Sequence, residues 1–223
     1  MALNRTLGEV RSELQTRLGF GMSGSAGIVN SPIIDSFIRA AQDALYEECE
    51  WAELQRAVEF TGGTEQVLFD YPADCNVEKV RLFAVKDNGQ YYPLAQGISL
   101  GTRNAAGAIL QRPFCYMKAA QLEVFPIPDR QYTYRIEYTA ALAPLVSDND
   151  RLSINSRMVF LSALVKAKYH YRQPDAQVYE QELQKHIQRI KAGQRTKTVW
   201  EAPRSGGRYD PHDYPPGGSF LCR

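Results

Sequence analysis

The apolar residues of this chain change their spacing twice, and the changes mark out its parts. Over residues 4–18, Leu7, Val10, Leu14 and Leu18 recur at the spacing of one helix face. Thr6 followed by Glu9 is a capping-box signature near the start, and Gly19 is a stop signal. Residues 19–29, GFGMSGSAGIV, read as a Gly/Ser-rich inter-helix loop. This loop follows a helix, and no Gly-Lys-Ser/Thr closes it, so it lacks the context of a phosphate-binding loop. Ser31-Pro32 predicts the start of a second helix, with Ser as N-cap and Pro in the first turn. Ile34, Phe37, Ile38, Ala41, Leu45, Cys49 and Ala52 line its expected buried face as far as about Leu54.

The spacing then drops from 3.6 to 2. Val58/Phe60, Val67/Phe69/Tyr71 and Val80/Leu82 alternate with polar residues, as in half-buried strands. Asn88-Gly89 is the strongest hairpin signal and joins a strand over 77–87 to one over 90–94. A Gly/Ala-rich loop is expected over 97–112. Leu122/Val124 and Tyr132/Tyr134/Ile136/Tyr138 predict two more strands, turning at Pro126-Ile-Pro-Asp-Arg130. The middle of the chain thus reads as an antiparallel β unit of about five or six strands.

Helical spacing returns after Ser147-Asp-Asn-Asp150. Ser153 is placed to cap a helix bearing Ile154, Met158, Leu161, Val165 and Tyr169 on one face. Pro174-Asp175 opens another, with Tyr179, Leu183, Ile187 and Ile190 in line and Gly193 as its stop. Each helical half is too short to bury its stripe alone. The expected fold class is therefore α+β: an antiparallel helical bundle with an inserted antiparallel β domain. The expected divisions are 1–54 and 147–192 for the two bundle halves, 55–146 for the β domain, and 193–223 for an extended C-terminal tail. That tail holds Pro and Gly in quantity, yet spaces Trp200, Tyr209, Tyr214, Phe220 and Leu221 along its length. A mere tether would be small and polar, so these five are expected to anchor it on a partner's surface.

Composition narrows the classes. The 223 residues are 44% hydrophobic and 23% charged, as in ordinary globular proteins. Lys+Arg number 26 and Asp+Glu 25, for a net charge of +1, which argues against a general nucleic-acid binder. The N-terminus lacks a signal-peptide pattern, and no apolar run is long enough for a bilayer, so no membrane partner is expected. Cys49, Cys75, Cys115 and Cys222 form no CxxC pair and predict reduced thiols. His170, His186 and His212 come with no nucleophile elbow. Asp148-Asn149-Asp150 lacks the Gly and distal Glu of a calcium loop and reads as a turn and helix cap. No catalytic residue, metal site or cofactor is predicted. The tyrosines Tyr132, Tyr134 and Tyr138 share one strand face, which fits a buried ladder or, alternatively, an exposed stacking platform for sugars.

Charge is patterned locally. Glu47, Glu48, Glu50 and Glu53 crowd a helix C-terminus, the unfavourable end for negative charge. Lys166, Lys168, Arg172, Lys185, Arg189, Lys191, Arg195 and Lys197 make the last helices and their exit basic. The two sets are candidate complements between neighbouring subunits. The basic set also suits weak attraction to DNA phosphates.

In order of elements and in several short motifs, the chain resembles the head–tail adaptors of short-tailed bacteriophages, the tail tubular protein A or gatekeeper-like connectors. The motifs are Trp51-Ala-Glu-Leu54, Phe69-Asp-Tyr-Pro-Ala-Asp74, Glu123-Val-Phe-Pro-Ile-Pro128, Arg135-Ile-Glu-Tyr138 and Pro144-Leu145…Asp148-Asn-Asp150. The resemblance covers residues 1–192. It implies a structural, non-enzymatic protein at the head–tail junction of the virion, made in the host cytoplasm. It further implies a ring of identical copies, commonly twelve, between the portal protein and a tail nozzle or tail tube protein. Genome DNA would pass through the lumen, and the C-terminal segment would reach the portal. A second expectation, from the tyrosine stripe, is a ligand- or carbohydrate-binding β module on a helical stalk.

Overall fold

The computed structural model describes residues 5–20, 25–106 and 110–194. It is an α+β fold, with helices on both sides of the sheets along the described residues.

Helix α1 (Leu7–Arg17) begins where the capping box predicts. The Thr6 side chain accepts from the Glu9 amide, and the Glu9 carboxylate accepts from the Thr6 amide at 3.0 Å. The next two amides, those of Leu7 and Gly8, donate to the carbonyls of Asp150 (2.8 Å) and Asp148 (3.0 Å). The loop before the returning helices thus caps the first helix, satisfying donors that a helix start leaves open. Its own shape is held by the Asp150 carboxylate, which accepts the amides of Val146 and Ser147 at 2.6 Å each. Those two bonds hold the Asp150 pKa below the usual carboxylate value.

Helix α2 (Ser25–Glu48) differs from expectation at both ends. It starts within the expected 19–29 loop, so Ser31 is not its cap and Pro32 lies inside it. Proline here forgoes one backbone bond, while Ile34, Ile38, Ala41 and Leu45 beyond it are fully or almost fully buried. The helix ends short of Leu54 because Trp51 folds back. Its indole N–H donates to the Leu45 carbonyl at 2.6 Å, filling one of the open acceptors of the last turn. Ala52 is consequently exposed, in a short 3-10 turn (Ala52–Leu54), and is not on the helix.

Among the described residues eight strands follow, more than expected and in two sheets. One has the order β1 (Gln55–Gly62), β8 (Tyr132–Ala140), β3 (Cys75–Asp87), β4 (Gln90–Pro93). The other has the order β2 (Leu68–Phe69), β7 (Leu122–Phe125), β6 (Cys115–Lys118), β5 (Ala95–Gln96). The β3–β4 hairpin turns at Asn88-Gly89, both with positive φ, as that dipeptide predicts. The strands around 122 and 132 do not pair with each other: the segment Pro126–Arg130 crosses from one sheet to the other. Nor is the unit wholly antiparallel, since β5 runs parallel to β6. The expected 97–112 loop contains a further helix, α3 (Leu100–Ala106).

The two sheets share one core. Phe69 and Tyr134 meet across it with ring centroids 4.8 Å apart, and Phe83 and Tyr116 at 5.3 Å. A second core lies among α1, α2, α4 (Ser156–His170) and α5 (Ala176–Gln194). Asn155, not Ser153, caps α4, accepting from the Arg157 amide at 3.0 Å, whereas Ser153 accepts the Ala143 amide. Tyr169 leaves the predicted buried face. It is half exposed, and its hydroxyl donates to Glu180 at 2.6 Å. Helix α5 runs through Gly193 to Gln194, so the glycine does not stop it.

Bundle and sheets are tied at Tyr46. Its hydroxyl accepts from the Asn76 amide group at 2.8 Å, and Lys79 both donates to its carbonyl at 2.8 Å and lies 3.7 Å over its ring.

Candidate functional site

The sequence places function in contacts, and the first question is which charged side chains are left for them. Most of the acidic cluster is answered within the chain. Glu47 meets Lys79 at 3.5 Å, Glu50 meets Arg81 at 3.3 Å, and Glu48 meets Lys191 at 2.9 Å. These pairs cross from the helix end to β3 and α5. Being largely solvated, each contributes little on its own. Glu53 is different. Burial pushes its pKa up, only partly opposed by a bond from the Asn155 amide.

The basic set divides similarly. Lys168 is buried, bonded to Asp175 at 2.8 and 2.9 Å and to Gln173 at 2.7 Å, so it holds the α4–α5 corner and presents no surface charge. Lys166, Arg172, Lys185 and Arg189 have no ion pair among the described residues. Arg195, Lys197 and the five tail positions Trp200, Tyr209, Tyr214, Phe220 and Leu221 lie outside the described residues.

The tyrosine stripe is core. Tyr132, Tyr134 and Tyr138 are at most 3% exposed, which removes the exposed platform that a sugar-binding face needs. Burial raises the pKa of Tyr134 and Tyr138 well above the usual phenol. Tyr138 donates to the Asp74 carboxylate at 2.6 Å, and the Ala141 amide donates to the Asp74 carbonyl at 2.8 Å. The Phe69–Asp74 and Arg135–Tyr138 motifs, distant in sequence, therefore form one contact.

Among the described residues, Cys115 is buried and Cys49 and Cys75 are half-buried, while Cys222 lies outside them. The Cys75 thiol is pushed up to about 11 by burial, so it is a poor nucleophile. His170 packs its ring against Phe37 and Tyr171. His212 lies outside the described residues. Among the described residues no group of three or more His, Cys, Asp or Glu is arranged to hold a metal ion, and no helix is long and apolar enough to cross a membrane.

Sequence reasoning missed the surfaces most suited to contacts. Strand β1 is an edge strand, exposed along most of its length, whose outer edge pairs with no described strand. Large apolar side chains stand in solvent at Leu100 and Val146 (both 79% exposed), Val178, Leu68, Leu110 and Phe114. Their signal in the sequence is weak because single apolar residues off a helix's buried face, or on short strands and turns, fit no periodic template.

Comparison with known proteins gives the following. Residues 5–207 match the family model for SU10 adaptor protein. The match is to that adaptor family and not to the tail tubular protein A group whose layout the sequence resembles. No curated protein matches. A chain in a solved structure described as the neck of an empty GTA particle, computed with C6 symmetry, is similar at 17% identity and a TM-score of 0.28. The match covers 80% of this chain and 91% of that one.

Proposed function

Since the chain belongs to the SU10 adaptor protein family, we propose that it is a structural head–tail connector, one copy of a ring that joins the portal of a bacteriophage capsid to its tail. The family match over residues 5–207 carries this reading, because it takes in bundle, sheets and the start of the tail together. Genome DNA passes through the lumen of such a ring without sequence-specific contacts. The near-neutral charge of the chain suits identical copies packed side by side, where strong like charge would oppose assembly.

The surfaces that support assembly are the open edge of β1 and the exposed Leu68, Phe114, Val146 and Val178. Isolated single apolar residues are ordinary on a monomer, but an eight-residue strand whose outer edge pairs with no described strand is a ready template for a strand from another chain. The segment beyond Gln194 supplies the grip on the portal, with Trp200, Tyr209, Tyr214, Phe220 and Leu221 as anchors. The test is a chain that ends at Gln194. It is expected to fold and to lose stable attachment to the portal, and normal docking of the shortened chain would refute the role given to the tail.

A further inference from the structure

A cavity of about 250 Å³ opens between the first turn of α4 and the middle of α5, lined by Arg157, Glu182, Lys185, His186 and Arg189. Three of these side chains are cations and one is a carboxylate. Glu182 accepts from Arg157 Nη2 at 2.7 Å, which orients the guanidinium and leaves its Nε and Nη1 unbonded among the described residues. Lys185 and Arg189 lie four residues apart on one helix, where like charges repel. Neither has an ion-pair partner among the described residues. In their midst, His186 Nε2 is shielded from water and has no hydrogen-bond partner among the described residues. A buried ring nitrogen left open is uncommon, and it adds no charge to offset the surrounding cations.

The neighbouring end of the same helix pair shows what a purely structural solution looks like. There, buried Lys168 is met by both oxygens of Asp175. At the His186 end no comparable anion is provided among the described residues, since the one lining carboxylate is already committed to Arg157. Burial first, then the charges of Arg157 and Arg189, depress the His186 pKa, with Glu182 opposing. The ring is thus neutral near physiological pH and adds no charge to the pocket wall.

We propose that this pocket binds a phosphate group, with Arg157, Lys185 and Arg189 as charge-assisted donors and the neutral His186 ring as part of its wall. Phosphate suits the site better than a carboxylate because it offers more acceptor oxygens to donors arriving from two helices, and guanidinium forks match its geometry. The phosphate is either a free phosphate ion or the phosphodiester of a nucleic-acid strand. The pocket stands independently of the connector reading, because it is assayed on the protein alone.

The experiment follows the His186 ring signals by NMR in the full chain, with His170 and His212 as internal references. Inorganic phosphate, a short DNA duplex and a polyglutamate peptide are titrated separately at matched chloride. Inorganic phosphate is expected to shift His186 saturably and to raise its pKa. The double variant Lys185→Gln/Arg189→Gln, altered at two exposed positions, is expected to bind roughly tenfold more weakly or worse while keeping its melting midpoint. Saturation by both phosphate and duplex assigns the site to a nucleic-acid backbone, and saturation by phosphate alone assigns it to the free ion. No saturable shift, an equal response in the double variant, or a response to polyglutamate alone overturns the proposal.

Discussion

Arg11 and Asp35 form a two-pronged ion pair that locks α1 to α2. The Arg11 Nε lies 2.6 Å from one carboxylate oxygen and Nη2 lies 2.8 Å from the other. The side chains are only 16% and 13% exposed, and the Arg11 Nη1 also reaches Asp148 at 2.8 Å. One guanidinium thereby links the first helix, the second helix and the loop that caps the first.

Removing one partner should therefore cost more than a surface pair would. Arg11→Met strands the Asp35 carboxylate and is expected to lower stability by about 3 kcal/mol. Arg11→Met/Asp35→Leu should recover much of that loss, because two apolar side chains leave no uncompensated charge on the helix pair. Urea melts of the three chains check this. Equal losses in the single and double variants would refute the pair's role.

The Asp150 turn gives a prediction about acid. Its folded pKa lies below the ordinary 3.8 because the amides of Ser147 and Val146 bond the charged form. Its contribution to stability is therefore present above the ordinary value and lost as pH falls through the folded one. Asp150→Ala should melt at a lower temperature than the parent at neutral pH, with the gap closing at strongly acid pH. A gap that is independent of pH would show that the carboxylate charge is immaterial.

Glu53 should behave in the opposite sense. Its folded pKa is raised above the ordinary 4.5, chiefly by burial. The protonated acid thus favours the fold below the unfolded pKa, and this contribution is lost as pH rises through the folded value. Glu53→Gln keeps an acceptor for the Asn155 amide without the charge. It is expected to raise the melting midpoint at neutral pH and to leave it unchanged in acid.

At Gly62 the rings of the β core press on the backbone. A Cβ there would come within 2.6 Å of the Phe69 ring and 2.7 Å of the Tyr134 ring. Gly62→Ala is expected to cost about 1–3 kcal/mol through overpacking. Phe69→Leu on the same chain should return part of it, as a double-mutant cycle would measure.

Much of this architecture is legible in the sequence where the signal is local and chemical. The Thr6/Glu9 box, the Asn88-Gly89 turn and the tyrosine alternation each specify their own geometry and behave as expected. The errors arise where distant packing decides. Pro32 reads as a helix start because proline favours first turns, but residues before it extend the helix. The second helix reads as running to about Leu54 because Cys49 and Ala52 fit its spacing, but the Trp51 indole N–H closes it by bonding the Leu45 carbonyl. The second sheet is built of two- and four-residue strands, too short to show a period, and β5 pairs with β6 across a long gap in the chain. The charge clusters were visible as clusters, but their mutual distances within the chain, such as Glu48 to Lys191, are set by the fold alone.

The central claim is that this chain is a connector that assembles on a portal. Native mass measurement of the full chain, alone and mixed with its portal protein, tests it most directly. The account predicts a portal-bound assembly carrying a fixed number of copies greater than one. A chain that stays monomeric and unbound at every ratio of portal would contradict it.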